Sequence, residues 1–319
     1  MRYGIPYVGS KNKIAEKIID KLPPAKHFYD LFGGGGAMTH CALLSGKYEF
    51  VHYNEFNPLV FKAFKMAING EFKGENRWIS REDFERLKDS DPYVACCYSF
   101  GNDFKTYAYG KNCELFKKAV HYSIVFDDNS LLKEYINLKD FKYSSSNPSE
   151  RRLEFQRFLT VLLNENKLEE TVCKNFCCSN NVVSHITQSL ESLERLQSFE
   201  SLDRFQSLES INNGVLLSNL SYEEVPIEND SVIYCDPPYL KVIKKKRYNN
   251  SDFNHNSFYD WARKQNNIFI SEYTMPDDFE VVYQKEKTCS LGLNNNTKTI
   301  EKLFVNMGYE SVYTQMNLF

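Results

Sequence analysis

Residues 232–239 read Val-Ile-Tyr-Cys-Asp-Pro-Pro-Tyr, and this stretch constrains the fold more than any other. Val232 to Cys235 is a short apolar run of the length expected for a buried strand. Pro237 and Pro238 then remove two backbone donors and fix φ, so neither a helix nor further strand pairing continues. The strand ends rigidly, and in an open α/β sheet the carboxyl edge of the strands is where ligands bind. Asp236, the Pro237 carbonyl and the Tyr239 ring are presented together at that edge. Taken alone, the string also suits a strand-end turn with a surface tyrosine, so the rest of the chain decides.

A second strand-to-loop junction lies upstream. His27 to Phe32 is strand-like and runs into four glycines, Gly33 to Gly36. A helix pattern follows through Cys41 and Leu44 to Gly46, the expected C-cap. Glycines between a strand and a helix indicate close approach of the backbone to a ligand. No Gly-Lys-Ser/Thr follows, so the loop is not a P-loop. The next strand, Phe50 to Tyr53, ends in Asn54-Glu55, which puts an acid about 20 residues past the glycines, where such folds bind ribose hydroxyls. Pro58 opens a helix through Val60, Phe64 and Ile68. Before all of this, Tyr7-Val8-Gly9-Ser10-Lys11 leads into a helix with Ile14, Ile18 and Leu22 on one face, for which Ser10 is the expected N-cap.

From Asn76 the pattern changes. Trp78 to Leu87 reads as helix, Tyr93 to Tyr98 as strand and Ser99 to Asp103 as a turn. Lysines and tyrosines interleave from Lys105 through Tyr107 to Lys111, a composition that grips a phosphate backbone with ammonium groups and bases with rings, or forms a hairpin with a wet face. Residues 189–211 repeat an apolar residue every third position, from Leu190 to Ile211. A period of three winds around an α-helix rather than making one face. The repeat carries five acids and two arginines, so it is read as a spacer without chemistry. Strand character returns at Gly214 to Asn219 and again at Asn267 to Tyr273. Phe258 to Trp261 reads as helix, and two final strands are expected around 279–284 and 302–305. Lys241 to Arg247 holds five positive charges in seven residues, Lys244, Lys245, Lys246 and Arg247 among them, close enough to Tyr239 to seat phosphates as a base enters.

Composition limits the class. Of 319 residues, 42% are hydrophobic and 15% aromatic, as in a packed globular protein. The formal charge of −3 means that contact with nucleic acid has to come from local basic patches. Nine cysteines show no metal-ligand spacing, so no metal site is expected and reduced thiols are. No apolar run approaches the about 18 residues of a membrane span, and a cytoplasmic protein is expected.

Together the order Tyr-x-Gly-x-Lys, Phe-x-Gly-x-Gly, a strand-end acid, a long insert and Asp-Pro-Pro-Tyr resembles the Dam-type adenine-N6 DNA methyltransferases with the α arrangement of motifs. Ser271-Glu272-Tyr273 and Thr299 to Phe304 look like the phage and bacterial branch. The resemblance covers the first ~75 residues and everything after ~214. It implies a Rossmann-like α/β sheet, with residues 1–75 and 214–319 as the catalytic domain and 76–213 as an inserted target-recognition region. It implies S-adenosylmethionine as cofactor, held by Tyr7, Lys11, Asp30, Phe32, Gly34, Gly36, Glu55 and Asn219 or Leu220, with Gly33 and Gly35 at variable loop positions. Asp236, Pro237 and Tyr239 match the clamp on the target adenine. Lys105, Tyr107, Lys111 and Lys244 to Arg247 are the DNA-binding candidates. Double-stranded DNA is the implied partner, with a restriction endonuclease as a functional companion and a monomer as the default state, in a bacterial or phage-infected cell.

The chemistry of the clamp fits an exocyclic amine: Asp236 and the Pro237 carbonyl accept its two N–H groups while Tyr239 stacks on the ring. A cytosine-C5 enzyme needs a Pro-Cys nucleophile, and none of the ten prolines precedes a cysteine. Cytosine N4, RNA or a protein glutamine are alternative acceptors. A catalytically silent, sequence-specific DNA-binding protein and a dinucleotide dehydrogenase are further alternatives, the last leaving Asp-Pro-Pro-Tyr and the insert unexplained.

Overall fold

Strand β1 (His27–Asp30) is the middle of the five parallel strands in a mostly parallel sheet. It pairs in parallel with β2 (Phe50–Asn54) on one side and β4 (Ser231–Cys235) on the other. Outside these, β3 (Val215–Ser218) adds to β2 and β5 (Ile268–Glu272) to β4, again in parallel. The last two strands, β6 (Phe279–Cys289) and β7 (Thr297–Asn306), are antiparallel to each other, and β7 is antiparallel to β5. The order across the seven strands is β3-β2-β1-β4-β5-β7-β6. Succession reverses between β1 and β4, which makes the carboxyl ends of these two strands the topological switch point. The computed structural model describes residues 2–111, 113–136, 138, 141–164, 208, 211, 214–239, 253–289 and 297–306.

Alternation along the strands builds a core on each face. Phe28, Val232, Tyr234, Phe269, Leu303 and Val305 meet α1 (Ala15–Lys21) and α2 (Ala37–Ser45), which contribute Ile18, Ile19, Met38 and Cys41. Tyr29, Ile233, Cys235, Ile268, Ile270 and Phe304 point the other way, onto Phe258, Tyr259 and Ala262 of the helix His255–Ala262. All five residues of β4 and of β5 are buried, as expected of central strands covered on both faces. The helix α3 (Pro58–Ile68) starts where the sequence places it, because Pro58 sits in the first turn and Asn57 caps Leu59 and Val60.

The start of α1 differs from expectation. Ser10 does not cap it; the helix begins at Ala15 after a turn closed by the Ile14 N–H donating to the Lys11 carbonyl, and that turn turns Lys11 inward.

The chain divides into two compact units. The first comprises residues Met1–Ile5, Gly9–Gly70 and Ser207–Phe319 and holds the whole sheet; the second comprises Pro6–Val8 and Glu71–Gln206. In the second unit, α4 (Arg81–Leu87) is shorter than expected, because the Ser80 hydroxyl accepts the Asp83 N–H and starts the helix there. Tyr93 to Tyr98 is not a strand. Asp91 accepts from the Tyr93 and Val94 N–H groups and Pro92 occupies the first turn, so the run becomes α5 (Pro92–Cys97), apolar all round because it is buried all round. Helices α6 (Glu114–Phe126) and α7 (Pro148–Asn164) share a core of Phe116, Val120, Ile124, Phe155 and Leu159. The helix His255–Ala262 of the first unit is α8. Of the 189–211 repeat, only Leu208 and Ile211 belong to the described residues; both are buried in the first unit. Among the described residues no helix is long and apolar enough to cross a membrane.

Candidate active site

The glycine loop leaves β1 at Leu31 and closes on itself through Gly36 N–H to the Gly33 carbonyl at 2.7 Å. Gly36 caps α2 with φ +70°, and a Cβ there would lie 2.1 Å from the Phe64 ring. A side chain is therefore excluded by conformation and by space. Gly33, at a variable position of the motif, has no room for a side chain in this chain: a Cβ would lie 2.3 Å from the Tyr53 ring. Tyr53 stacks on Phe64 with centroids 4.1 Å apart and donates its hydroxyl to the Gly34 carbonyl at 2.8 Å, which ties the loop to β2. Asp30 at the end of β1 is buried and accepts both the Thr39 N–H (3.1 Å) and hydroxyl (2.7 Å) in the first turn of α2. Burial pushes its carboxyl up to about 7, with the Thr39 bonds opposing. Phe32 offers the loop its backbone; its ring packs against Tyr222 and Phe258.

Glu55 follows β2, as the spacing requires. One carboxylate oxygen accepts the Gly34 N–H and the other the Asn57 N–H, both at 2.8 Å. Burial raises its pKa and these two bonds oppose the rise. Asn54 joins three strand ends. Its amide donates to the Leu31 and Leu220 carbonyls at 3.0 and 3.1 Å, and its oxygen accepts from Leu220 N–H and the Ser218 hydroxyl. Asn219 donates to the Glu55 and Phe56 carbonyls. Phe56, which sequence reasoning passed over, stands beside the acid with 73% of its surface exposed, and Leu220 is exposed as well. A large apolar residue directly after the strand-end acid was the signal for it.

At the end of β4 lies the second half of the site. Asp236 Oδ2 accepts from Lys11 Nζ at 2.5 Å, while Asp236 Oδ1 is buried with no hydrogen-bond partner. Lys11, expected at the cofactor, is instead committed to this acid and to Glu301 Oε1, 3.0 Å away. The same Glu301 oxygen accepts the Tyr239 hydroxyl at 2.9 Å. The Lys11 ammonium also lies 4.9 Å from the Tyr239 ring centroid, and Tyr273 meets that ring edge-on. His255 Nε2 is 2.8 Å from the Pro238 carbonyl, which steadies the two prolines. Burial pushes Asp236 above the usual carboxylate range, against the pull of Lys11. Burial alone would lower Lys11, but Asp236 and Glu301 hold it above its ordinary value. Glu301 reaches the site because β7 is antiparallel: its first half lies at the same edge as the carboxyl ends of the parallel strands, with Lys302 opposite Glu272.

The remaining sequence candidates belong to the second unit or fall outside the described residues. Tyr7 belongs to the second unit, where its ring meets Phe104 edge-on. Lys105 is half-buried and Lys111 exposed in that unit. Tyr107 is not a stacking platform: it is 5% exposed, packed on Phe84 and Tyr109, with its hydroxyl on the Ile79 carbonyl. Lys244, Lys245, Lys246 and Arg247 lie outside the described residues.

A sheet of this order, with a glycine loop and a strand-end acid on one side of the switch point and Asp-Pro-Pro-Tyr on the other, defines a Rossmann-like methyltransferase. Residues 7–318 match the family described as D12 class N6 adenine-specific DNA methyltransferase. The chain belongs to that family and is an enzyme of DNA adenine methylation. No curated protein matches the sequence.

Proposed function

We propose that the chain transfers a methyl group from S-adenosylmethionine to N6 of an adenine turned out of duplex DNA. The observation that carries the reading is Asp236 Oδ1, a buried acceptor with no partner beside an oxygen already held by Lys11. An unpaired buried acceptor is costly, and an incoming N–H group relieves it.

The residues present fit the cofactor. The left-handed Gly36 leaves the first N–H groups of α2 facing the loop, and Glu55 is fixed by two backbone bonds at the end of β2. Asp30, Phe32, Gly34 and Gly36 would hold the methionine part, Glu55 the ribose, and Phe56, Asn219 and Leu220 the adenine ring, with Tyr7 from the N-terminal motif. When bound, S-adenosylmethionine supplies an electrophilic methyl group on a sulfonium.

The target amine is a poor nucleophile because its lone pair is delocalised into the ring. Asp236 Oδ1 and the Pro237 carbonyl would accept hydrogen bonds from its two N–H groups and so orient its lone pair away from the ring plane, while Tyr239 would pack on the base. Such positioning is the larger part of catalysis here. Asp236 also stabilises the positive charge that develops on N6, and it accepts the proton that N6 sheds after transfer. Unstacking the base costs a few kcal/mol, which phosphate contacts from Lys105, Lys111 and Lys244 to Arg247 offset. Residues 76–213 serve as the target-recognition region. A monomer acts on one strand at a time in the cytoplasm of a bacterial or phage-infected cell, alongside a restriction endonuclease where one is present.

The test is methyl transfer from labelled S-adenosylmethionine to unmethylated duplex DNA, single-stranded DNA and RNA, with the product nucleoside identified. N6-methyladenine in duplex DNA is the expected product. N4-methylcytosine, a methylated RNA or no transfer with cofactor bound would overturn the reading.

A further inference from the structure

We propose that Glu301 is a positioning residue of the methyl-transfer site, fixing the Asp236 clamp through Lys11 and the stacking ring through the Tyr239 hydroxyl. The inference rests on the adenine-N6 reading above and adds a residue outside the Asp-Pro-Pro-Tyr string.

One oxygen, Glu301 Oε1, holds both partners, Lys11 Nζ at 3.0 Å and the Tyr239 hydroxyl at 2.9 Å. Glu301 and Lys11 are 5% and 6% exposed, so neither ion is kept there by solvent. A buried carboxylate is retained only with partners, and here both of these partners touch the clamp. Three elements thus meet at one oxygen: the turn before α1, the segment after β4 and the first half of β7. Without Glu301 the ammonium has one carboxylate to follow, and the Tyr239 hydroxyl loses the acceptor that fixes it, while the ring keeps its contacts with Tyr273 and Lys11. Both changes move atoms that have to lie within a fraction of an ångström of a reactive geometry, and a 1 Å misplacement costs on the order of 100-fold in rate.

The charge balance gives a readout that a purely structural residue would not. The groups facing the Asp236 carboxyl are Lys11, Glu301, Tyr239, Tyr234, Cys235 and Asp30. Burial raises Asp236, Lys11 lowers it, and the negative charge of Glu301 raises it further. Replacing Glu301 by glutamine keeps the shape and removes a like charge, so Asp236 ionises at lower pH.

The experiment is steady-state methylation of a duplex by Glu301→Gln and Tyr239→Phe across pH, beside wild type. For Glu301→Gln the expected results are a fall in kcat of roughly 10- to 100-fold, an unchanged KM for S-adenosylmethionine, and an acid limb of the kcat profile moved to lower pH. Tyr239→Phe removes a hydroxyl that lowers Asp236, so it lowers kcat and moves the acid limb to higher pH, opposite in sign to Glu301→Gln. A Glu301→Gln enzyme with wild-type kcat overturns the proposal, and so does one whose kcat falls while its acid limb stays put. Should Glu301→Gln fail to fold, a Tyr239→Phe enzyme with wild-type kcat overturns it alone. Absence of N6-methyladenine from the wild-type reaction is a separate result, which removes the reading on which the inference rests.

Discussion

Both ends of α2 are glycines in the left-handed region, and they make a matched pair for testing what the loop demands. Gly36 at the N-cap has φ +70° and Gly46 at the C-cap φ +65°. A Cβ at Gly46 meets nothing within 4 Å, whereas one at Gly36 lies 2.1 Å from the ring of Phe64. Gly46→Ala therefore carries only the conformational penalty, about 1 kcal/mol. Gly36→Ala adds the cost of moving a fully buried Phe64, about 2 kcal/mol, for a total of about 3 kcal/mol. The disturbance does not stop at Phe64, because that ring lies on Tyr53, whose hydroxyl holds the Gly34 carbonyl, and the Gly34 N–H in turn binds Glu55. Gly36→Ala is thus expected to weaken S-adenosylmethionine binding as well, and Gly46→Ala to leave it alone. Urea unfolding of both variants gives the stability difference, and calorimetric titration of the cofactor gives the affinity. Equal destabilisation by the two substitutions, or a Gly36→Ala variant within about 0.5 kcal/mol of wild type, refutes the argument that packing against Phe64 sets this loop.

Asp236→Ala should lower transfer by at least about 1,000-fold, with circular dichroism unchanged because Lys11 keeps Glu301; a variant within about 10-fold of wild type would sink the mechanism. Asp30 makes stability depend on pH. Its carboxyl titrates near 7 in the fold against an ordinary 3.8, so the folded chain keeps a proton that the unfolded chain releases, and stability declines as pH rises through that window. The shift corresponds to about 4 kcal/mol, and Asp30→Asn, which cannot titrate, should flatten the unfolding free energy between these two values; a profile identical to wild type would exclude Asp30 as its source. Replacing Lys244, Lys245 and Lys246 by glutamine should weaken duplex binding and reduce the slope of log K against log salt by about 2 to 3; an unchanged slope removes them from the interface.

Local signals carried the strands and the two loops. The apolar run before Asp236, the glycines after β1 and the acid after β2 each lie where periodicity and spacing put them, because a parallel sheet repeats one rule at every carboxyl end. Pro58 and the helix at Phe258 were legible for the same local reason. Tyr93 to Tyr98 was not, since an apolar run buried on all sides has no period, and the deciding feature was the Asp91-Pro92 start just outside it. Ser10 has the chemistry of a cap but stands ahead of a turn that exists to carry Lys11 inward. Tyr107 looked like a ring for stacking because it alternates with lysines, and tertiary packing on Phe84 took it into the core. The bond between Lys11 and Glu301 lies beyond any local reading: it joins opposite ends of the chain, and only the antiparallel placement of β7 explains it.

That placement has a consequence for how the enzyme comes into being on the ribosome. Lys11 and Asp236 are synthesised well before Glu301, so a nascent chain that has completed β1 to β5 already owns its glycine loop, its strand-end acid and Asp-Pro-Pro-Tyr. It does not yet own the carboxylate that divides the lysine between two acids and anchors the tyrosine. On this view competence arrives late and all at once, when β7 slides in beside β5, and an unfinished chain carries the glycine loop and the aspartate before it carries the carboxylate that links Lys11 to Tyr239.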